Sequence, residues 1–128
     1  MQLDPSPERF RDLMESGDPE LAEVMACVFG VQRHEVRTYR TLLATPGSTV
    51  AELATALDRD RSNVNRSLST LREKGLARRE RRLLDGGGHV YQYTATPLDE
   101  ARELMHDALD QWTAMVHDRI DEFEAGSE

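Results

Sequence analysis

Residues 60–75, DRSNVNRSLSTLREKG, decide how the rest of the chain is read. Asp60 or Ser62 can accept hydrogen bonds from the free N–H groups of a first helical turn. Lys74 and Gly75 place a cation and a left-handed stop where a helix C-terminus needs them. Between them Val64, Leu68 and Leu71 recur at four- and three-residue steps, one narrow apolar stripe. Arg61, Ser62, Asn63, Asn65, Arg66, Ser69, Thr70 and Arg72 occupy the other faces. The pattern predicts an amphipathic helix whose wet side offers hydrogen-bond donors and positive charge, a face suited to phosphates and base edges. A solvated surface helix would show the same pattern, so the flanking sequence has to decide.

Upstream, Asp18-Pro19-Glu20 reads as a helix start, with a cap, a proline at the first position and an acid in the first turn. The helix it opens carries Leu21, Val24, Met25 and Val28 on one face and ends at Gly30. A shorter helix is expected within residues 7–16. Residues 32–45 form the next helix, with Val36, Tyr39, Leu42 and Leu43 as its stripe, broken by Pro46-Gly47. Ser48 or Thr49 then caps residues 50–57, where Val50, Leu53, Ala54 and Leu57 face inward. A tight turn at 58–60 leads into the polar helix, and two short helices so joined read as a helix-turn-helix.

Downstream the period changes from helical to two. Residues 77–84 and 89–95 predict strands joined by Asp85-Gly86-Gly87-Gly88, a hairpin signal. The first strand, ARRERRLL, is so basic that one side at least is exposed. Thr96-Pro97 then starts a long helix reaching about Phe123. Its apolar band includes Leu98, Ala101, Met105, Leu109, Trp112, Val116, Ile120 and Phe123; its opposite face is acidic. A helix of roughly 25 residues runs near 40 Å, longer than so small a domain covers, which predicts that its far end packs on a second copy.

At 128 residues the chain is one domain, or one domain with appended helices. The formal net charge is -8, but the charges are segregated. Residues 1–30 hold seven acids and two bases, residues 59–82 nine bases and three acids, and residues 97–128 ten acids and two bases. A polyanion meets the local patch, not the total. Of 16 basic residues only Lys74 is a lysine. Acid excess, scarce lysine and few aromatics resemble the proteins of salt-loving archaea. In molar salt the screening length falls to about 3 Å, so contacts at close range must carry any binding. No apolar run approaches the roughly 18 residues of a membrane span. The N-terminus lacks a secretory signal's basic and apolar regions, so a cytoplasmic location is expected.

The order of helix, helix-turn-helix, polar helix, two-stranded wing and long helix resembles the winged-helix transcription regulators of the MarR and TrmB type. LDRDRSNVNRSLSTLREKGLARR is similar to the family's recognition-helix block, and GGGHVYQYTATPLDEARELM to the wing and following helix of TrmB-like archaeal regulators. The resemblance implies a mainly α fold with a small β-hairpin wing (α+β), in three parts. These are an N-terminal helical extension at 1–30, a winged helix-turn-helix at 31–96 and a C-terminal dimerisation helix at 97–128. It implies a homodimer on double-stranded DNA, with recognition helices one DNA turn apart on a near-palindromic operator. By position, Ser62, Asn63, Asn65 and Arg66 would face base edges. Asn can bond adenine, and Arg guanine, at two points. Arg59 and Arg61 would clamp phosphates. Thr49 and the helix it caps would meet another phosphate through backbone N–H groups. In the wing, Arg79, Arg81, Arg82 and His89 are candidates for phosphate or minor-groove contacts. Alternation puts Arg79 and Arg81 on one side, Arg78 and Arg82 on the other. Full-length TrmB proteins carry a C-terminal sugar-binding domain that this sequence lacks, so no sugar effector is expected.

Cys27 is the only cysteine, which excludes an internal disulfide and a cysteine-based zinc site. It reads either as a small buried filler or as an oxidant sensor, as in single-cysteine winged-helix regulators of haloarchaea. His106 and His117 lie too far apart along one helix to share a metal. No catalytic constellation is present, and neither a cofactor nor an enzymatic activity is expected. Two other functions fit the pattern: a winged-helix module binding protein within the transcription machinery, for which the acidic helix is suited, and a repressor with an effector pocket between the long helix and the winged core.

Overall fold

The computed structural model describes residues 20–123; the helix expected within 7–16, and Asp18 and Pro19, lie outside them. Five helices and a hairpin follow one another: α1 (Leu21–Phe29), α2 (Arg33–Ala44), α3 (Val50–Leu57), α4 (Arg61–Glu73), β1 (Ala77–Leu83), β2 (His89–Ala95) and α5 (Leu98–Glu122). This is a winged helix-turn-helix with a long C-terminal helix.

Local chemistry sets the boundaries. Glu20, extended at φ -77°, is the N-cap of α1. Gln32 starts α2, its N–H donating to Glu35 Oε1 at 2.7 Å. Thr49 caps α3 reciprocally: Glu52 N–H donates to Thr49 Oγ1 at 3.2 Å, and Thr49 N–H to Glu52 Oε1 at 2.9 Å. Asp60, not Ser62, caps α4 by accepting the Asn63 N–H at 2.8 Å. At Gly75 φ is 78°, a left-handed stop that a side chain would strain.

The stripes converge on one core. Met25 and Phe29 of α1, Val36, Tyr39 and Leu42 of α2, Leu53 and Leu57 of α3, and Val64, Leu68 and Leu71 of α4 pack together with Leu76 and Tyr93. Leu21, Val24, Leu43, Val50 and Ala54 are half-buried at its edge. Tyr39 ties the layers: its hydroxyl donates to the Thr96 carbonyl at 2.7 Å, and burial pushes its pKa above the ordinary value. The Thr96 hydroxyl in turn donates to the Gly75 carbonyl at 2.7 Å. The end of α4, the base of the wing and the entry to α5 are thereby fastened to α2.

β1 and β2 pair antiparallel with Ala77 opposite Ala95, Arg79 opposite Tyr93, Arg81 opposite Tyr91 and Leu83 opposite His89. Ser48, the alternative cap for α3, instead bridges to Tyr93 and anchors the hairpin. β1 stops at Leu83, because Leu84 belongs to the turn: its N–H donates to Gly88 O and its carbonyl accepts from Gly87, both at 3.1 Å. Beyond Ala77 every residue of β1 is exposed, on both faces, since a two-stranded ribbon has no layer over it.

α5 spans 25 residues, roughly 37 Å. Its first half lies against α1, with Ala101, Met105 and Ala108 buried. Beyond Ala108 it leaves Leu109, Met115 and Ile120 exposed, and Phe123, its C-cap, is 69 % exposed. Leu109 and Val116 stand seven residues apart, as on a helix–helix seam, and Phe123 follows as the extended residue that ends the helix.

Candidate nucleic-acid interface

With Val64, Leu68 and Leu71 in the core, the helical repeat of α4 turns Ser62, Asn65, Arg66 and Ser69 outward as one exposed stripe. Ser69 was not among the residues expected there, although its seven-residue step from Ser62 gives it the same bearing. The start of the stripe is ordered by its cap. Besides the Asn63 N–H, the Asp60 carboxylate accepts from the Ser62 hydroxyl and from Asn63 Nδ2, each at 3.0 Å. These bonds, the backbone one foremost, hold its carboxyl below the usual aspartate range. Arg66 donates to Asn63 Oδ1. Ser62, Asn63 and Arg66 are thus one connected set, while Arg61 and Asn65 are exposed beside it.

Arg59 is placed differently from the exposed residues. It is half-buried, its Nη1 lying 3.2 Å from Ser67 Oγ and 3.2 Å from His34 Nδ1. His34 also bonds Ser67 through Nδ1 at 3.1 Å and Gln32 Oε1 through Nε2 at 2.9 Å. With Nε2 donating, Nδ1 is left as the acceptor that Arg59 and Ser67 require. This cluster pins the start of α2, the α3–α4 turn and the middle of α4 together. Sequence reasoning missed it because its members stand 8 to 33 residues apart. Thr49 is half-buried at the start of α3, and its N–H, which a phosphate would use, is already held by Glu52. That same bond lowers the Glu52 pKa, keeping a negative charge at the spot.

On the wing, Arg79, Arg81, Tyr91 and His89 share one face by register, and Arg78 and Arg82 share the other. The Arg79 guanidinium lies over the Tyr91 ring, 4.1 Å from its centroid, and His89 meets that ring edge-on at 5.2 Å. Tyr91 is therefore a brace for two of the expected contact residues. Cys27 lies apart from this surface on α1, buried with 4 % exposure. His106 and His117 are exposed on α5. Among the described residues, no group of three His, Cys, Asp or Glu side chains is arranged to hold a metal. No helix among them is long and apolar enough to cross a membrane. An open apolar hollow of about 560 Å³ lies along the end of α5, lined by Met115, Val116, Arg119, Ile120 and Phe123. It is not between α5 and the winged core, where the alternative reading as an effector-binding repressor would place its pocket.

The profile of the family described as "Sugar-specific transcriptional regulator TrmB" matches residues 25–99, from α1 through the wing into the start of α5. The chain belongs to the TrmB family. An uncharacterized protein of Methanocaldococcus jannaschii is 31 % identical over 101 residues, covering 79 % of this chain and 76 % of its own. Among solved structures, a possible transcriptional regulator from Methanosarcina mazei superposes with a TM-score of 0.74 at 25 % identity, over 83 % of this chain and 90 % of that one. TrmBL2, an archaeal chromatin protein whose structure shows a novel mode of DNA binding, shares the fold. Its TM-score is 0.57 at 21 % identity, over 79 % of this chain and 35 % of that one. The protein is accordingly a TrmB-family transcriptional regulator built on the winged helix.

Proposed function

We propose that two copies of the chain, joined along the far halves of α5, bind duplex DNA at a near-palindromic operator and regulate transcription there. The observation that carries this reading is the outward stripe of α4, with Ser62, Asn63 and Arg66 ordered around Asp60 before any ligand arrives. Ordering them beforehand lowers the entropy cost of docking. In this reading Asn63, Asn65 and Arg66 take base edges in the major groove, assisted by Ser62 and Ser69. Arg61, Arg81 and Arg82 take phosphates, as does Arg79 braced on Tyr91, and His89 reaches the backbone beside them. Arg59 acts chiefly through His34 and Ser67, setting the pose of α4, and Thr49 adds at most its hydroxyl.

Residues 31–96 then read DNA and residues 97–128 pair the copies, while α1 of the N-terminal part is built into the shared core. The exposed seam of α5 supports self-association, and the hollow at its end is part of that seam rather than an effector pocket. The acid excess and single lysine support a high-salt cytoplasm, where short-range contacts outlast screened attraction. Burial of Cys27 supports a packing role; an oxidant-responsive thiol there would require α1 to open.

The test is fluorescence anisotropy with a duplex selected by the wild-type protein from a random pool. Arg66→Ala is expected to weaken binding by about 1–3 kcal/mol and to relax preference at one base pair. Unchanged affinity and preference in that variant would remove Arg66 from the reading surface.

A further inference from the structure

Large apolar side chains exposed among the described residues fall into two groups. Leu109, Met115 and Ile120 on α5 and Phe123 at its C-cap are the surface that the proposed second copy would cover. Leu83, 71 % exposed, and Leu84, 47 % exposed, stand at the outer end of the wing. We infer that these two leucines form an apolar wedge that enters the minor groove of the bound duplex and unstacks a base step. The inference rests on the DNA reading above and gives the wing tip a part in it that the arginines cannot play.

The tip is a closed turn that holds both residues in place, through the Leu84–Gly88 and Leu84–Gly87 backbone bonds. Leu83, opposite His89, is the outermost residue of the face that carries Arg79 and Arg81. Leu84 follows on the alternate side, beyond Arg78 and Arg82. Leu83 therefore heads a row of two guanidiniums, Arg81 and Arg79, and Leu84 a row of two, Arg82 and Arg78, with Glu80 between them, at strand spacings of about 3.3 Å per residue. Whatever covers the leucines must also accept the four guanidiniums behind them, which outnumber the carboxylates of Glu80 and Asp85 and leave the tip positive. A second copy's wing would bring the same net positive charge against this one, like against like. A duplex offers phosphate ridges for the arginines and a groove between them for the apolar tip. The apex is slender enough to go in: Gly86, Gly87 and Gly88 carry no side chains, and a Cβ at any of them would meet nothing within 4 Å. The minor groove is roughly 6 Å wide, and leucine is among the side chains that minor-groove proteins insert between base steps. The wing is also aimed, because its base is fastened to the end of α4 through Thr96 and Gly75.

The test uses the full chain and a duplex it selects from a random pool, with 2-aminopurine stepped through the sequence flanking the major-groove site. Wild type is expected to raise 2-aminopurine fluorescence at one flanking step. Leu83→Ala with Leu84→Ala is expected to abolish that rise and weaken binding roughly tenfold, about 1.4 kcal/mol. The slope of log affinity against log salt should stay the same, since no phosphate contact is removed. Arg82→Ala should instead flatten the slope. Equal affinity and an unchanged fluorescence rise in the double variant would overturn the wedge while leaving DNA binding intact. Loss of the dimer in that variant would overturn it in favour of a contact between copies. Leucine-dependent binding to vesicles of anionic lipid, with no effect on the duplex, would overturn it in favour of a membrane surface. Failure of wild type to select any duplex would remove the DNA reading and the wedge together.

Discussion

α4 and α5 are both amphipathic, yet their apolar sides have opposite fates. α4 spends its stripe inside its own chain, with Val64, Leu68 and Leu71 all at 1 % exposure or less. What it shows to the outside is polar, cationic and ordered by hydrogen bonds. α5 buries Ala101, Met105 and Ala108 and then runs past the core with its seam open. Its outer surface is lined with acids, Asp99, Glu100, Glu103, Asp107, Asp110, Asp118, Asp121 and Glu122 all exposed. One helix offers a polar, cationic face that suits a polyanion; the other has an uncovered apolar seam among acids that would repel one. In the proposed function this contrast gives reading to α4 and assembly to α5, and the acids of α5 would keep a DNA strand off the assembly surface.

The largest effect should come from confusing core with seam. Leu68→Ala leaves a hole in a closed core and is expected to cost about 2–5 kcal/mol, read as a lowered urea midpoint. Ile120→Ala, of similar chemistry, should leave the intrinsic unfolding of the winged core unchanged at low protein concentration. A comparable loss from Ile120→Ala under those conditions would break the distinction. Next, Ile120→Asp with Phe123→Asp should weaken self-association by more than a hundredfold, about 3 kcal/mol for two side chains no longer buried. Sedimentation would follow this while far-UV circular dichroism reports the retained helices. A variant that stays dimeric would mean the copies meet elsewhere.

Most of this contrast is written in local sequence, and the parts that are not share a cause. The start and stop of α4, the Thr49 cap, the Gly30 stop and the hairpin all follow from residues within a turn of one another. Which of Asp60 or Ser62 caps α4 stayed open, because both can accept; the fold chose Asp60 and made Ser62 its second donor. Ser48 competed with Thr49 for α3 and was taken by Tyr93, 45 residues away in sequence. Lys74, expected as a cation at the helix C-terminus, stands there and is only 6 % exposed, a burial that the local pattern does not encode. The His34–Arg59–Ser67 cluster and the Arg79–Tyr91 stack are likewise contacts across elements, and neither period nor propensity encodes such pairings.

Smaller effects sharpen the reading surface itself. Tyr91→Leu should remove the brace under Arg79 and weaken duplex binding by about 0.5–1 kcal/mol, the worth of an exposed cation–π pair. Tyr91→Phe should keep the affinity, since the ring remains; anisotropy titrations of both variants decide. The smallest effect is a pH dependence at the α4 cap. Asp60 has a lowered pKa in the folded chain. Its contribution to stability is therefore fully present above the ordinary aspartate value, about 3.9, and is lost as pH falls through the lower folded value. The difference in urea midpoint between wild type and Asp60→Ala should be present at neutral pH and close in strong acid. A difference that grows on acidification would contradict the cap.

The division between a reading helix and an assembling helix is tested most directly by the mass of the complex in sedimentation equilibrium, with a duplex selected by the protein and at the ionic strength of selection. Two chains on one duplex, falling to at most one chain with Ile120→Asp and Phe123→Asp, is the expected result. A single wild-type chain per duplex, or free duplex throughout, would contradict it.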